Sequence, residues 1–237
     1  MGKVRIENQP AFILHQYPYS ETSLILDIFT REYGRVNLIA KGAKRPHSAL
    51  RAVLQIFQPL VINYSGSGEV KTLTKAEWVN GILPIPEKYF ISAYYMNELI
   101  RESCAKDDAH PEIFNSYLYA LTQISFQKNI NPILRQFEKS ILTHMGFGIY
   151  FNKKWIENIN DNQLIIYEPN IGFKSRQKND PKEWPIITKK ALVSLINDDY
   201  THQQHMIKQL LRFMISQHFK QNLKTKKLIQ ELSLYEA

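Results

Sequence analysis

Leu83-Pro84-Ile85-Pro86 divides this chain into two kinds of text, and no fold built on a single period accommodates both. Proline lacks the amide proton that a helix interior or a central strand needs, so two of them within three residues end any regular element that precedes them. Before the break, from Ala11 to about Val79, short apolar, β-branched and aromatic runs are separated by turn residues, which is the pattern of strands. Five are predicted: Ala11–Tyr17, Ser23–Thr30, Val36–Ala40, Phe57–Tyr64 and Val70–Trp78, the last two flanking Ser65-Gly66-Ser67-Gly68 as a hairpin connection. After the break the apolar positions recur at helical spacing. Helices are predicted over Tyr89–Ala105, Pro111–Phe126 and Pro132–Met145, then over Thr188–Ile196, His202–Phe219 and Thr225–Leu232. In the third, which Asn131 would cap, Ile133, Leu134, Phe137, Ile141, Leu142 and Met145 share a face and Arg135, Glu138 and Lys139 lie off it.

Five strands with a short helical stretch, Ser48–Leu54, after the third follow the order of a small Greek-key barrel of the OB type. The fold class is therefore α+β. A five-stranded OB-type β-barrel over residues 1–82 is followed by a mainly α-helical domain over 83–237, interrupted by an irregular insertion at about 150–187 in which only Leu164–Tyr167 reads as a strand. The hydrophobic fraction of 44% is ample for a buried core. The first residues, MGKVRIENQP, lack the apolar stretch of a secretory signal, and no window approaches the ~18 apolar residues of a membrane span, so a cytoplasmic protein away from membranes is expected.

Charge is the strongest functional signal. Residues 31–51, REYGRVNLIAKGAKRPHSALR, hold six Lys/Arg and one acid, which is +5 of the +8 carried by the whole chain. Cations gathered on one short element create a field that polyanions find, and phosphate is the commonest of these. The predicted nucleic-acid-binding residues are Arg31, Arg35, Lys41, Lys44, Arg45 and Arg51, with Lys71 and Lys75 added from the fifth strand if the barrel closes. The bland alternative is a solvated edge whose charges discourage aggregation. Phe29, Tyr33 and Phe57 are candidate stacking platforms or core residues. A second basic region, Lys208 to Lys227, either extends the track, binds an acidic peptide or is a solvated helical face.

Other chemistries find little support. Cys104 is the only cysteine, so neither an intrachain disulfide nor a thiolate zinc site is available, and a packing role is expected. There is no G-x-x-x-x-G-K-[ST] and no G-x-G-x-x-G; Gly34 and Gly42 bracket strand three as turn residues. The hydroxyl-rich Tyr19-Ser20-Glu21-Thr22-Ser23 has no base or oxyanion site nearby and reads as a turn. His202 and His205 lack a neighbouring acid at ligand spacing, and Asp107-Asp108 and Asp198-Asp199 read as helix-start acids. No cofactor, metal or catalytic residue is expected.

Glu21-Thr22-Ser23, Phe29-Thr30-Arg31-Glu32-Tyr33-Gly34-Arg35-Val36 and Ala40-Lys41-Gly42-Ala43-Lys44-Arg45 resemble, in order and spacing, the N-terminal pattern of the RecO recombination mediators, bacterial DNA-repair proteins. The resemblance continues through Leu54-Gln55-Ile56-Phe57-Gln58-Pro59-Leu60, Gly68-Glu69-Val70-Lys71-Thr72-Leu73, Asn97-Glu98-Leu99 and Leu134-Arg135-Gln136-Phe137-Glu138 to Leu223-Lys224-Thr225-Lys226. The chain departs from the family in two places. It cannot build the four-cysteine zinc module of some members, and Lys224-Thr225-Lys226 stands where the family tends to read Lys-Ser-Arg, which keeps the charge but loses the planar guanidinium.

The resemblance implies an OB domain on a helical domain, no enzymatic turnover, binding of single- and double-stranded DNA, and annealing of complementary strands. It also implies nucleoid association and partners: RecR, with which RecO proteins load RecA, and the single-stranded DNA-binding protein (SSB), whose acidic, apolar-ended tail docks on the helical domain. Such a tail needs cations beside an apolar groove, which Arg135 and Lys139 on the flank of the third helix would supply, with Lys224 and Lys226 as a secondary basic track; the alternative is that Arg135 pairs with Glu138 or that Lys139 is merely solvated. The competing reading is an RNA-binding assembly factor with the same basic barrel, since nothing in the sequence reads a 2′-hydroxyl.

Overall fold

The run Ala11-Phe12-Ile13-Leu14 is apolar at every position, and the structure buries all four side chains. This is a computed structural model that describes residues 4–79, 83–126, 128–148, 153–219, 223 and 225. Strands β1 (Val4–Tyr19), β2 (Ser23–Thr30), β3 (Gly34–Ala40), β4 (Leu60–Gly66) and β5 (Val70–Trp78) close a barrel in the order β1-β2-β3-β5-β4, with helix α1 (Ala49–Val53) on the crossing from β3 to β4. Ala11 and Ile13 join Leu26, Ile28, Val36, Leu38, Leu60 and Ile62 in the barrel core. Phe12 faces the other way, with its ring 5.3 Å from Phe114 and edge-on to Tyr117 at 5.0 Å.

Closure rests on the length of β1. Ala11 pairs with Thr30 of β2 and with Leu60 of β4, so one strand serves both neighbours by bending. Irregularities between Ile6 and Gln9 and between Ile13 and His15 produce that bend, and Asn8 takes a left-handed φ of 53° at the first. The sequence starts this strand at Ala11 because the preceding residues are polar; backbone pairing with β4 extends it to Val4. β3 alternates buried and half-buried positions, as expected of a barrel wall, and meets β5 in parallel at Asn37–Val70, Leu38–Lys71 and Ile39–Thr72.

Helices α2 (Phe90–Ser103) and α3 (Pro111–Ser125) belong to the same compact unit as the barrel, which runs on through Lys128 and also includes Thr225. The period changes at residues 83–86, yet the unit continues because Phe12 and Phe29 face out of the barrel and require a cover, which Phe114 and Tyr117 of α3 provide. A buried polar tie adds direction. Asn97 Nδ2 donates to Leu14 O at 3.0 Å, and Tyr117, whose hydroxyl pKa is raised by burial, donates to Asn97 Oδ1. Cys104 is buried here, and desolvation pushes its thiol up to about 11.

The second unit spans Asn129–Leu223. It contains α4 (Ile130–Leu142), a π turn at Thr143–Phe147, α5 (Lys153–Asn158), strands β6 (Leu164–Glu168), β7 (Gly172–Ser175) and β8 (Ile186–Thr188), α6 (Lys189–Ile196) and α7 (Gln204–His218). Asn129 rather than Asn131 caps α4, accepting from Asn131 N at 3.1 Å. The region 150–187, expected to be irregular around one strand, carries a three-stranded sheet in the order β7-β6-β8 with Ile165, Ile166 and Ile187 fully buried. Strands of three to five residues are too short to show a period of two, which is why only the central one is legible.

Gly34 opens β3 with φ +64°, and a Cβ there would lie 1.9 Å from Asp108 O. The α2–α3 connection is laid against the strand at this point, with Asp107 N donating to Arg35 O at 2.8 Å. Gly34→Ala combines a disfavoured φ with a backbone clash, and its unfolding free energy is expected to fall by about 3 kcal/mol in urea denaturation.

Candidate nucleic-acid interface

The loop after β3 is held by its backbone and by one buried methyl group. Ala43, 1% exposed, closes the barrel core, while Lys44 N donates to Thr22 O at 2.8 Å and Arg45 N to Gly42 O at 3.1 Å. Gly42 provides the left-handed turn, φ +71°, that lets the chain reverse around Ala43. With Ala43 anchored, Lys41, Lys44 and Arg45 face solvent, and Arg51 is exposed on α1.

The eight predicted cations of the barrel divide by what they touch. Arg31 lies 3.8 Å from Glu32, Lys71 2.7 Å from Asp107 and Lys75 2.9 Å from Glu77. Arg35 is the most committed. Its guanidinium makes a bidentate pair with Asp27, at 2.8 Å from Nη2 to Oδ2 and 3.3 Å from Nε to Oδ1, and Nη1 donates to Arg101 O and to Cys104 O. Arg101 Nε reaches the same carboxylate at 3.0 Å. The other four, Lys41, Lys44, Arg45 and Arg51, have no carboxylate partner among the described residues; Lys44 Nζ donates only to Ser20 O at 3.2 Å. Within the basic cluster these four are therefore the cations not already committed to a carboxylate among the described residues. Phe29 is core against Phe114 at 5.6 Å, Phe57 is buried, and Tyr33 is exposed with its ring edge-on to Tyr64 at 6.5 Å.

Beside Lys44 and Arg51 opens a groove of about 580 Å³, whose walls include Leu54, Phe57, Phe90 and Tyr94. Sequence reading passes over Phe90 and Tyr94 because aromatics on a helix following a barrel read as core. The available signal is their i, i+4 spacing at the start of α2, which puts both on one face.

In the second unit, Arg135 and Lys139 are not the exposed flank that the sequence suggests. Arg135 is 3% exposed and its Nη2 pairs with Glu138 Oε1 at 2.7 Å, because α7 packs on α4 and covers that face as well. Lys139 Nζ closes the C-terminal end of α6, donating to Leu195 O at 2.8 Å and Ile196 O at 3.2 Å and pairing with Asp198 at 2.8 Å. Lys208 and Arg212 are exposed one turn apart on α7; desolvation first, then Arg212 and Arg135, lower the Lys208 pKa. Lys224 and Lys226 lie outside the described residues.

A closed five-stranded barrel with a short helix between its third and fourth strands, followed by helices, defines an OB-type module joined to a helical region. Residues 4–82 match the family model Recombination protein O N terminal and residues 88–227 the model Recombination protein O C terminal. DNA repair protein RecO of Cupriavidus pinatubonensis is 40% identical over 236 residues, covering 98% of this chain and 81% of the relative. The RecO protein of Ralstonia nicotianae is 43% identical over 217 residues, with 90% and 80% covered, and that of Polynucleobacter necessarius is 40% identical over 243 residues, with 98% and 99% covered. The chain belongs to the RecO family. No helix among the described residues is long and apolar enough to cross a membrane.

The division of cations predicts opposite phenotypes. Arg35→Ala leaves Asp27 short of its bidentate partner and two carbonyls without a donor, and the unfolding free energy is expected to drop by about 3 kcal/mol. Lys41→Ala is expected to change it by less than about 0.5 kcal/mol. Parallel urea titrations followed by circular dichroism separate the two.

Proposed function

We propose that this protein acts in DNA repair as a non-enzymatic mediator that binds DNA through Lys41, Lys44, Arg45 and Arg51. It anneals complementary single strands and, with RecR, helps load RecA onto SSB-coated single-stranded DNA. The observation that carries the reading is the set of four exposed cations without a carboxylate partner among the described residues, on one loop and its short helix. Two strands repel each other through their phosphates, and holding both in one positive field lowers the charge penalty of bringing them together. No bond is made or broken in this mechanism. Arg35, Lys71, Arg31 and Lys75 contribute to the long-range field while their carboxylate partners hold them in place.

Affinity carried by phosphate neutralisation must depend steeply on salt. Replacing all four free cations with Ala is expected to make the slope of log K against log salt shallower by about 3 for single strands, and to weaken binding alike on all base sequences. Fluorescence anisotropy of a labelled oligonucleotide over a salt series measures this. An unchanged slope would remove the loop from the interface.

Contact with the acidic SSB tail is assigned to the second unit. What supports it is the pair of exposed cations Lys208 and Arg212, one turn apart on α7. Lys208→Ala with Arg212→Ala is expected to weaken binding of a tail peptide by about tenfold or more. Lys139→Ala is expected to lower thermal stability instead. Tail grip concentrates the protein at coated DNA without any new contact to the strand.

A further inference from the structure

The groove beside the basic loop joins two features, of which the phosphate contacts use only the first. Its rim carries Lys44 and Arg51, both exposed and without a carboxylate partner among the described residues. Its wall carries Phe90 and Tyr94, one helical turn apart on α2 and exposed by 40% and 44%, with the buried Phe57 ring edge-on to Tyr94 at 5.0 Å. Large aromatic rings left this accessible beside cations form the combination with which single strands are held, since every base has a π face and every base is followed by a phosphate. The volume, about 580 Å³, lies within the range of small-ligand sites, and Gln16 and Gln55 add neutral polar groups to a lining that joins the two cations to Leu24, Leu54, Ile56 and the aromatic rings.

Phe57 shapes this wall by an unusual route. Its φ is +69°, a conformation that a bulky residue adopts only where its surroundings impose it, and residues so held cluster at ligand clamps. The surroundings here are the groove itself: Phe90 at 6.4 Å, Tyr94 at 5.0 Å, and Leu54, whose carbonyl accepts from Gln16 Nε2 at 2.8 Å. The segment Leu54–Phe57 is thereby fixed opposite α2 and the cleft stays open between them.

We propose that this groove receives an unpaired base, with its ring against Tyr94 and Phe90 and its flanking phosphates on Lys44 and Arg51, so that the protein grips single strands more tightly than duplex. The inference rests on the reading of the basic loop as the DNA interface and adds to it a way of telling the two forms of DNA apart. A base is favoured over a peptide as occupant because the rim cations continue into Lys41 and Arg45, the track along which the strand would run.

The test uses the full chain and two probes of equal length, a single strand carrying 2-aminopurine and its duplex. Tyr94→Leu keeps helix propensity at an exposed position and is expected to weaken single-strand binding by roughly 5- to 150-fold, the range for loss of one stacked base, while duplex affinity changes less than about twofold. The 2-aminopurine quenching on binding is expected to disappear in Tyr94→Leu and to return in Tyr94→Phe, which keeps the ring. Equal losses on both DNA forms, unchanged binding of both, or loss of an acidic peptide's binding with single-strand affinity intact would each overturn the base site. Lys41→Ala with Arg45→Ala, outside the groove lining, separates this from the underlying reading. If that variant binds both DNA forms like the wild type, the loop interface fails; if it loses both while Tyr94→Leu loses neither, only the groove does.

Discussion

Asp27 has 5% of its side chain exposed, and a carboxylate so placed is tolerable only if cations and donors surround it. Two guanidiniums do so, Arg35 from the neighbouring strand β3 and Arg101 from α2. Because Arg35 also donates to the carbonyls of Arg101 and Cys104 at the end of α2, one ionic cluster satisfies the helix terminus and the strand together. The register of α2 against the barrel depends on this cluster, and with it the position of Phe90 and Tyr94 at the other end of the same helix.

The consequence is a sorting of charge. A chain with a net charge of +8 has cations to spare, and half of the predicted interface is spent internally or against nearby carboxylates. Of the eight predicted cations, Lys41, Lys44, Arg45 and Arg51 are without a carboxylate partner among the described residues, displayed by a loop that Ala43 locks into the core and by the short helix that follows it. A buried anchor with exposed cationic side chains suits a ligand of regular charge and irregular sequence, because lysine and arginine side chains follow phosphates without requiring a particular base.

Much of this was legible in the residues. The strand boundaries at Ser23–Thr30 and Val70–Trp78 match the sequence reading because both runs have turn residues at their ends. The family pattern was legible for the same reason, since it lies in the turns and the basic loop. The fate of Arg35 was not. It sits two residues before Asn37 in a strand of alternating burial, and nothing local shows that its partner lies eight residues back on β2 with a third member in α2. For Arg135 the i, i+3 spacing to Glu138 already offers an ion pair as the alternative to tail docking; what the residues do not show is its burial, because an amphipathic pattern identifies one buried face and α4 is covered on a wider arc. The groove was invisible because its walls come from residues near 16, 55 and 94, which only the closed barrel and α2 bring together.

The proposed interface places DNA on the unneutralised loop and not on the neutralised cluster. Hydrogen–deuterium exchange of the full chain, free and saturated with a single-stranded oligonucleotide, tests it residue range by residue range. Slower exchange is expected over Lys41–Phe57 and the first turns of α2, with Asp27–Arg35 unchanged. Protection centred on β2 and the start of β3, with the 41–57 segment unaffected, would contradict it.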